Sequence, residues 1–283
     1  MMTKTQSYIL NIYKEVAKLC EKNNLRYFVI GGSCLGAARH QGFIPWDDDM
    51  DIAMPVEDFL ILEKIVAKHL PDYLTVMSPA DSDHDYLRFL KVMDNRTTMT
   101  EKTFLNWEDT FEGVWLDIMP LAGVPDEGVG RKRYLRQLKK YARYNYKIRT
   151  HMLMQNSIGG KVLWLGVQML KTFIPNNYFW NKWLAYIATY SFNDSNFTGY
   201  VWSDKIERLI FPIEWFSSYV KVEFEDTTVR MPIGWDNMLT QMFGDYMKLP
   251  SKKEQRSLHE VNQGINDLEH SYKYYQKLYR QKH

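Results

Sequence analysis

Gly42-Phe43-Ile44-Pro45-Trp46-Asp47-Asp48-Asp49-Met50-Asp51-Ile52 is the stretch on which the reading of this chain turns. Four carboxylates within five residues repel one another at neutral pH. Such density is tolerated on a solvated loop, or is held together by a bound cation. Met50 to Met54 alternates apolar residues with Asp51, which predicts a short strand ended by Pro55. Side chains alternate along a strand, so Asp49 and Asp51 would share a face, about 6–7 Å apart. Two carboxylates so placed suit a hard divalent cation completed by phosphate and water. Asp117 lies in a second alternating stretch, Gly113 to Met119, with Trp115 on its side and Val114, Leu116 and Ile118 on the other. A carboxylate there is costly to bury unpaired, and makes sense as a third ligand if its strand neighbours the first. An EF-hand does not fit: Asp47, Asp49 and Asp51 match its first ligand positions, but Ile52 and Asp58 stand where it needs Gly and Glu.

Upstream, Leu25 to Ile30 reads as a strand that stops at Gly31-Gly32-Ser33, and Cys34 to His40 as a short helix. Glycines there let backbone approach a ligand closely, and a following helix start offers N–H groups to phosphate; an ordinary tight turn is the alternative. Neither a complete Walker A sequence nor G-x-G-x-x-G is present. Ile9, Ile12, Val16 and Leu19 predict an amphipathic helix ended by Asn23-Asn24, and Asp58 to Leu70 predicts another. Tyr86 to Met93 is a further strand candidate, and Pro120, Gly123 and Pro125 are expected to close this half. Arg131 to Tyr190 reads as helical, broken near Gly159-Gly160 and Pro175. Val220 to Phe224 and Thr228 to Met231 suggest a hairpin, and helices are expected at Trp235 to Met242 and Ser251 to Arg280. The order predicts an α/β fold with a mixed β-sheet core, flanking helices and a basic helical insertion. The expected organisation is 1–127 as catalytic core, 128–193 as insertion, and 194–283 as a hairpin and helices completing the catalytic domain.

The 283 residues carry 36 Lys and Arg against 34 Asp and Glu, and 45% are apolar, an ordinary globular composition that excludes wholesale disorder and collagen-like repeats. Two cysteines exclude a disulfide scaffold and point to a reducing compartment. The first residues lack a signal-peptide pattern and no run reaches about 18 apolar residues, so a cytoplasmic protein is expected. The near-neutral balance hides an asymmetry. Residues 128–193 contain no Asp or Glu but twelve Lys and Arg, nine of them between Arg131 and Arg149, interleaved with tyrosines. Such a segment suits an anionic glycopolymer, a nucleic acid or anionic lipid headgroups. Val162-Leu163-Trp164-Leu165, Phe179-Trp180 and Trp183 add aromatics of the kind favoured at a lipid interface. Peripheral contact with the inner face of the membrane is therefore one expectation and a solvated helical subdomain the other. A nucleic-acid partner ranks last, because it gives no role to the clustered acids.

Strand, Gly-Gly-Ser, helix, then Asp-x-Asp on a strand and a lone strand Asp resembles the nucleotidyltransferase fold. Gly31-Gly32-Ser33-Cys34-Leu35-Gly36-Ala37-Ala38-Arg39, followed by the acidic stretch, resembles the signature of the LicD family. Gly113-Val114-Trp115-Leu116-Asp117-Ile118-Met119-Pro120-Leu121 is similar to its second block. Phe224-Glu225-Asp226-Thr227, Gly244-Asp245-Tyr246-Met247-Lys248-Leu249-Pro250 and His259 are similar to its C-terminal blocks. The family's frequent Leu-Asp-Gly-Val-Pro stands here as Leu121-Ala122-Gly123-Val124-Pro125.

The resemblance implies transfer of phosphocholine from CDP-choline, or of ribitol or glycerol phosphate from its CDP donor, to a hydroxyl of a teichoic acid, lipopolysaccharide or capsule precursor, lipid-linked or free. It implies Asp49, Asp51 and Asp117 as the carboxylates that bind Mg²⁺ or Mn²⁺ and as the catalytic group. Asp117 or Asp47 is expected to take the acceptor's proton, Asp117 first, because it should lie between metal and acceptor. Gly31, Gly32 and Ser33 would cradle donor phosphate beside Asp47 and Asp48. Arg39, Arg88 and Lys91 are candidates for holding phosphate oxygens, and Trp46 and Trp115 for walling a choline ammonium. A non-catalytic glycan-binding descendant of the family is the alternative.

Overall fold

The computed structural model describes residues 2–80, 87–102, 105, 111–150, 157–255 and 263–282. Tyr86 and His259, singled out in the sequence, lie outside the described residues.

Helix α1 (Lys4–Lys22) starts on a Thr3–Gln6 capping box and buries Ile9, Ile12, Tyr13, Val16 and Leu19 along one stripe. Asn24, in the left-handed region (φ 54°), turns the chain into β1 (Phe28–Val29). Then follow α2 (Gly31–His40), β2 (Asp51–Pro55), α3 (Val56–His69), β3 (Leu74–Met77), β4 (Leu90–Asp94), β5 (Thr98–Glu101) and β6 (Trp115–Val124). The helical block comprises α4 (Val129–Arg149), α5 (Ile158–Leu170) and α6 (Tyr178–Ile187). After it come β7 (Phe197–Gly199), β8 (Ile210–Pro212), β9 (Tyr219–Phe224), β10 (Thr227–Pro232), α7 (Trp235–Phe243), β11 (Gln263–Asp267) and α8 (Tyr272–Lys282).

The main sheet runs β1-β2-β6-β4-β3, with β7 and β8 continuing it beside the far end of β6. Only the β2–β6 pairing within it is parallel; β1–β2, β6–β4, β4–β3, β6–β7 and β7–β8 are antiparallel. This is the mixed α/β sheet that the order of elements predicted. Its long central strand β6 is buried throughout, because strands flank it on both edges and α1 and α3 pack against it.

Several boundaries differ from the sequence reading for identifiable reasons. Strand β6 runs through Pro120 and Gly123 to Val124 rather than ending at Pro120. The Asp117 amide donates to Met50 O, so by alternation the Pro120 nitrogen faces the opposite edge. There, pairing with β4 stops at Ile118 and pairing with β7 begins at Ala122. Proline falls in the gap between partners, where a missing N–H costs no ladder bond. Gly123 is required by close approach: a Cβ there would lie 2.1 Å from Ser195 Oγ and 2.5 Å from the Ser191 carbonyl oxygen. Gly159 and Gly160 lie in the first turn of α5 rather than breaking a helix, since Ser157 caps the start by accepting from the Gly160 amide. The helix expected from Ser251 onward is interrupted by β11, which pairs with β5.

Some of the aromatics expected at a lipid interface turn inward instead. Trp180 and Trp183 are fully buried and stacked 5.2 Å apart, and they join the main core with Tyr134, Leu135, Leu138 and Ile187. Phe179 packs with Ile148 and Val167. These aromatics fasten the block to the sheet domain. Among the described residues, no helix is long and apolar enough to cross a membrane.

Candidate active site

The sheet register brings the distant acids together. Asp51, the first residue of β2, is the direct parallel partner of Asp117 in β6. Lys91 in β4 is the antiparallel partner of Asp117 on its other side. Register partners point to the same face, so Asp51, Asp117 and Lys91 form one row across three strands. Strands β2 and β6 owe this pairing to apolar neighbours, Ile52, Ala53, Met54, Leu116, Ile118 and Met119, all buried beneath or beside the row.

Helix α2 supplies the other wall. Its N-terminal residue Gly31 has φ +55°, a conformation that L side chains rarely adopt, and a Cβ there would lie 3.5 Å from Asp51 Oδ2. A Cβ on Gly32 would come within 2.7 Å of Asp47 Oδ2, so that carboxylate rests directly on the glycine. The Asp51 amide donates to Ser33 Oγ at 2.8 Å. The glycine-serine start of α2, Asp47 and the Asp51–Asp117 pair therefore lie together. The serine was expected to cradle phosphate; its hydroxyl here ties α2 to β2. Asp48 and Asp49 lie half-buried on the segment entering β2. Among the described residues, no group of three or more His, Cys, Asp or Glu is placed so that it could hold a metal ion. The donors present are hard carboxylate oxygens beside a glycine cradle, and they fit Mg²⁺, which takes one or two protein carboxylates and leaves its other positions to phosphate and water.

The remaining candidates divide. Lys91 is nearly buried; its ammonium lies 2.7 Å from Glu112 Oε2 and 4.2 Å from the centre of the Trp115 ring. Trp115 is 5% exposed and donates its indole N–H to Asp117 Oδ2 at 3.3 Å. One face of this ring is thus covered by a lysine, and its edge orients the aspartate. Arg39 belongs to the last turn of α2, about 12 Å along the helix from Gly31. Its guanidinium donates to the carbonyl of Tyr246 at 2.6 Å, and so ties α2 to the Gly244–Pro250 block instead of joining the acidic row. Burial lowers its pKa. Trp46 is half-buried, edge-on to His40, whose pKa burial and then the Arg39 charge depress. Arg88 pairs with Asp204 at 2.8 Å, outside the row.

Three residues at this site had no role in the sequence reading. Gln6 of α1 is 2% exposed and donates its amide to the carbonyls of Asp47 (2.8 Å) and Ile44 (3.3 Å), fixing the acidic segment from below. A polar residue on the apolar stripe of α1 was the available signal. Glu225, at φ 53° in the β9–β10 turn, accepts from the Phe43 amide at 3.1 Å, and its carboxylate occupies the space a Gly42 Cβ would need. This gives the Phe-Glu-Asp-Thr block a physical role: it clamps the loop that carries the acids. Tyr200 is fully buried, and its hydroxyl accepts from the Gly31 amide; burial, then Cys34 and Asp51, push its pKa well up. Nothing in the sequence around Tyr200 marked it.

A mixed sheet with a glycine-started helix against a strand Asp, and a second Asp on the neighbouring strand, defines a nucleotidyltransferase-like domain. Residues 24–130 match the family model LicD/FKTN/FKRP, nucleotidyltransferase domain. The likeness to the LicD family extends beyond that segment. It is 27% identical over 261 residues to the lipopolysaccharide cholinephosphotransferase LicD of Haemophilus influenzae, covering 90% of this chain and 94% of the relative. Over 43 residues it is 49% identical to the ribitol 5-phosphate transferase FKRP of Homo sapiens and of Mus musculus, 15% of this chain and 9% of theirs.

Proposed function

We propose that the chain is a metal-dependent phosphotransferase that moves phosphocholine from CDP-choline to a hydroxyl of a cell-surface glycan precursor. The observation that carries this reading is the register pairing of Asp51 with Asp117 beside the Gly31-Gly32-Ser33 helix start. The relative named a lipopolysaccharide cholinephosphotransferase spans nearly the whole chain and favours choline; the shorter FKRP match keeps ribitol phosphate as the alternative donor group.

Asp51 and Asp117, with Asp49 beside them, would hold Mg²⁺. When bound, the ion supplies charge neutralisation at the pyrophosphate as CMP leaves. The chain's own residues do the remainder. Gly31 and Gly32 leave their side-chain space to the Asp51 and Asp47 carboxylates, and the Gly32 and Ser33 amides at the start of α2 would donate to donor phosphate oxygens. Asp117 takes the proton of the attacking hydroxyl, with Trp115 fixing its orientation through the indole N–H. Lys91 sits in the same row and balances the charge of Asp117 and Glu112.

Purified protein incubated with Mg²⁺, CDP-choline or CDP-ribitol, and a glycan acceptor should release CMP. A Mg²⁺-dependent rise in melting temperature with the preferred CDP-alcohol reads donor binding without any acceptor. No rise with any CDP-alcohol, together with no CMP release, would sink the reading.

A further inference from the structure

The basic block encloses a cavity that the phosphotransferase chemistry does not use. It measures about 910 Å³ and lies between α4, the start of α5, and the chain around Arg88 and Trp202. Lys139, Arg143 and Lys147, spaced i, i+4, i+8 on one face of α4, line it together with Arg88. Asp204, paired with Arg88, is the one acid among the described lining residues, and Lys139 is paired with Glu207 outside the lining. Phe89, Tyr146 and Trp202 supply aromatic wall. Trp202 also stacks on Tyr200 at 5.4 Å, and Tyr200 touches Gly31, so two rings connect the cavity to the acidic row.

We propose that this cavity is a subsite for a phosphate-bearing saccharide, its anion held by Arg143, Lys147 and Lys139 and its sugar ring laid against Trp202 and Phe89. As the identity of the acceptor side, this rests on the phosphotransferase reading; as a binding site it stands alone. Among the described lining residues cations outnumber acids, which disfavours a choline ammonium here and favours an anion.

Calorimetric titration with glucose 6-phosphate and with glucose tests it, because neither probe needs catalysis. Glucose 6-phosphate should bind the wild type, and glucose at least about tenfold more weakly. Arg143→Glu, at an exposed position that leaves the fold intact, should weaken the sugar phosphate by a similar factor while CMP affinity holds. Equal binding of both sugars, or undiminished binding by the variant, overturns the subsite. Parallel loss of CMP binding assigns the cavity to the donor and overturns it as well. If sugar phosphate binds as expected but no CDP-alcohol does, the subsite stands and only the enzymatic reading falls.

A different observation carries a second proposal. Helix α5 docks on α4 through Val167, through the Trp164 indole donating to Thr150 O, and through Gln168 donating to Lys147 O. Its opposite stripe, Ile158, Val162, Leu165 and Met169, is 50–84% exposed, and Phe173 just beyond is 82% exposed. This i, i+4, i+7, i+11 stripe belongs to a block of 66 residues with twelve cations and no acid. Self-association through it would bring two positive surfaces together, whereas an anionic bilayer accepts both the apolar stripe and the cations. We infer that α5 lies on an anionic membrane surface. Flotation with phosphatidylcholine vesicles, with and without phosphatidylglycerol, reads this directly. Binding should require the anionic lipid, weaken with salt, and be lost in Val162→Glu/Met169→Glu, whose positions are solvent-exposed. Binding that is absent, or unaffected by the double substitution, overturns it; so does a concentration-dependent dimer abolished by the same change.

Discussion

Asp51 and Asp117, separated in sequence by helix α3 and strands β3, β4 and β5, face each other as direct register partners on the parallel strands β2 and β6. Two carboxylates held side by side repel, so the arrangement costs stability unless a cation is shared between them. Asp51→Asn or Asp117→Asn should therefore leave melting temperature equal or slightly raised without metal, and remove the Mg²⁺-dependent rise with CDP-choline. CMP release should fall at least ~100-fold, the size usual for removing one preorganised charge. Wild-type turnover in either variant would refute the assignment.

Gly32 separates function from stability. It lies near the start of α2, where alanine would raise helix propensity by up to about 1 kcal/mol. Yet the added Cβ would meet Asp47 Oδ2 at 2.7 Å, so the carboxylate must move. Gly32→Ala should keep or raise thermal stability while cutting CMP release about tenfold or more. An unchanged rate would mean that the position of Asp47 is immaterial.

The residues forming the acidic row were legible because strands alternate and because the chemistry of clustered carboxylates is restrictive. Asp51 and Asp117 could be placed on strands, and their adjacency posed as a condition, but register is a tertiary property and no local pattern supplies it. β3, β5, β7, β8 and β11 passed unread for the same reason: these three- to five-residue segments, such as Phe197–Gly199 and Ile210–Pro212, exist because a neighbouring strand offers an edge. Pro120 misled because its cost depends on which edge it faces. Trp180 and Trp183 read as interfacial from composition, and burial against Tyr134 and Ile187 reassigns them to the core. The stripe that does face outward, from Ile158 to Met169, shares its helix with residues that dock inward, and only packing tells the two faces apart.

The two cysteines should be inert in the folded protein. Both are buried. Burial pushes Cys34 up, and Cys20 up to about 12 from 9.0. An acid whose folded pKa is raised contributes stability that is whole below the unfolded value and is lost as pH climbs above it. Urea midpoints should hold up to about pH 8.5 and fall above it, with each thiol adding up to about 1.4 kcal/mol per pH unit. Tyr27, pushed up to about 12 by burial, adds the same sign at higher pH. Cys20→Ala should flatten part of that slope. Native protein should resist a thiol-specific chromogenic reagent at pH 8 and react at two sites once unfolded; fast reaction of the native state would contradict the packing of α1 and α2.

Lys91 offers the sharpest test of what holds the row. Its ammonium is wedged between Glu112 Oε2 at 2.7 Å and the Trp115 ring, and both members of the ion pair are largely buried, at 9% and 17% side-chain exposure. Removing one partner of such a pair strands a charge and costs about 3–5 kcal/mol, whereas removing both is far cheaper. Lys91→Met should thus destabilise strongly, since Glu112 loses its cation, and Lys91→Met/Glu112→Gln should recover most of the loss. If Lys91 instead served mainly to grip donor phosphate, as the sequence alone suggested, the single substitution would leave the urea midpoint near wild type and raise the KM for CDP-choline. The double variant would then share that raised KM. A double-mutant cycle in stability, run beside donor KM for the same proteins, separates the two roles because the first predicts coupling in the midpoint and the second in KM.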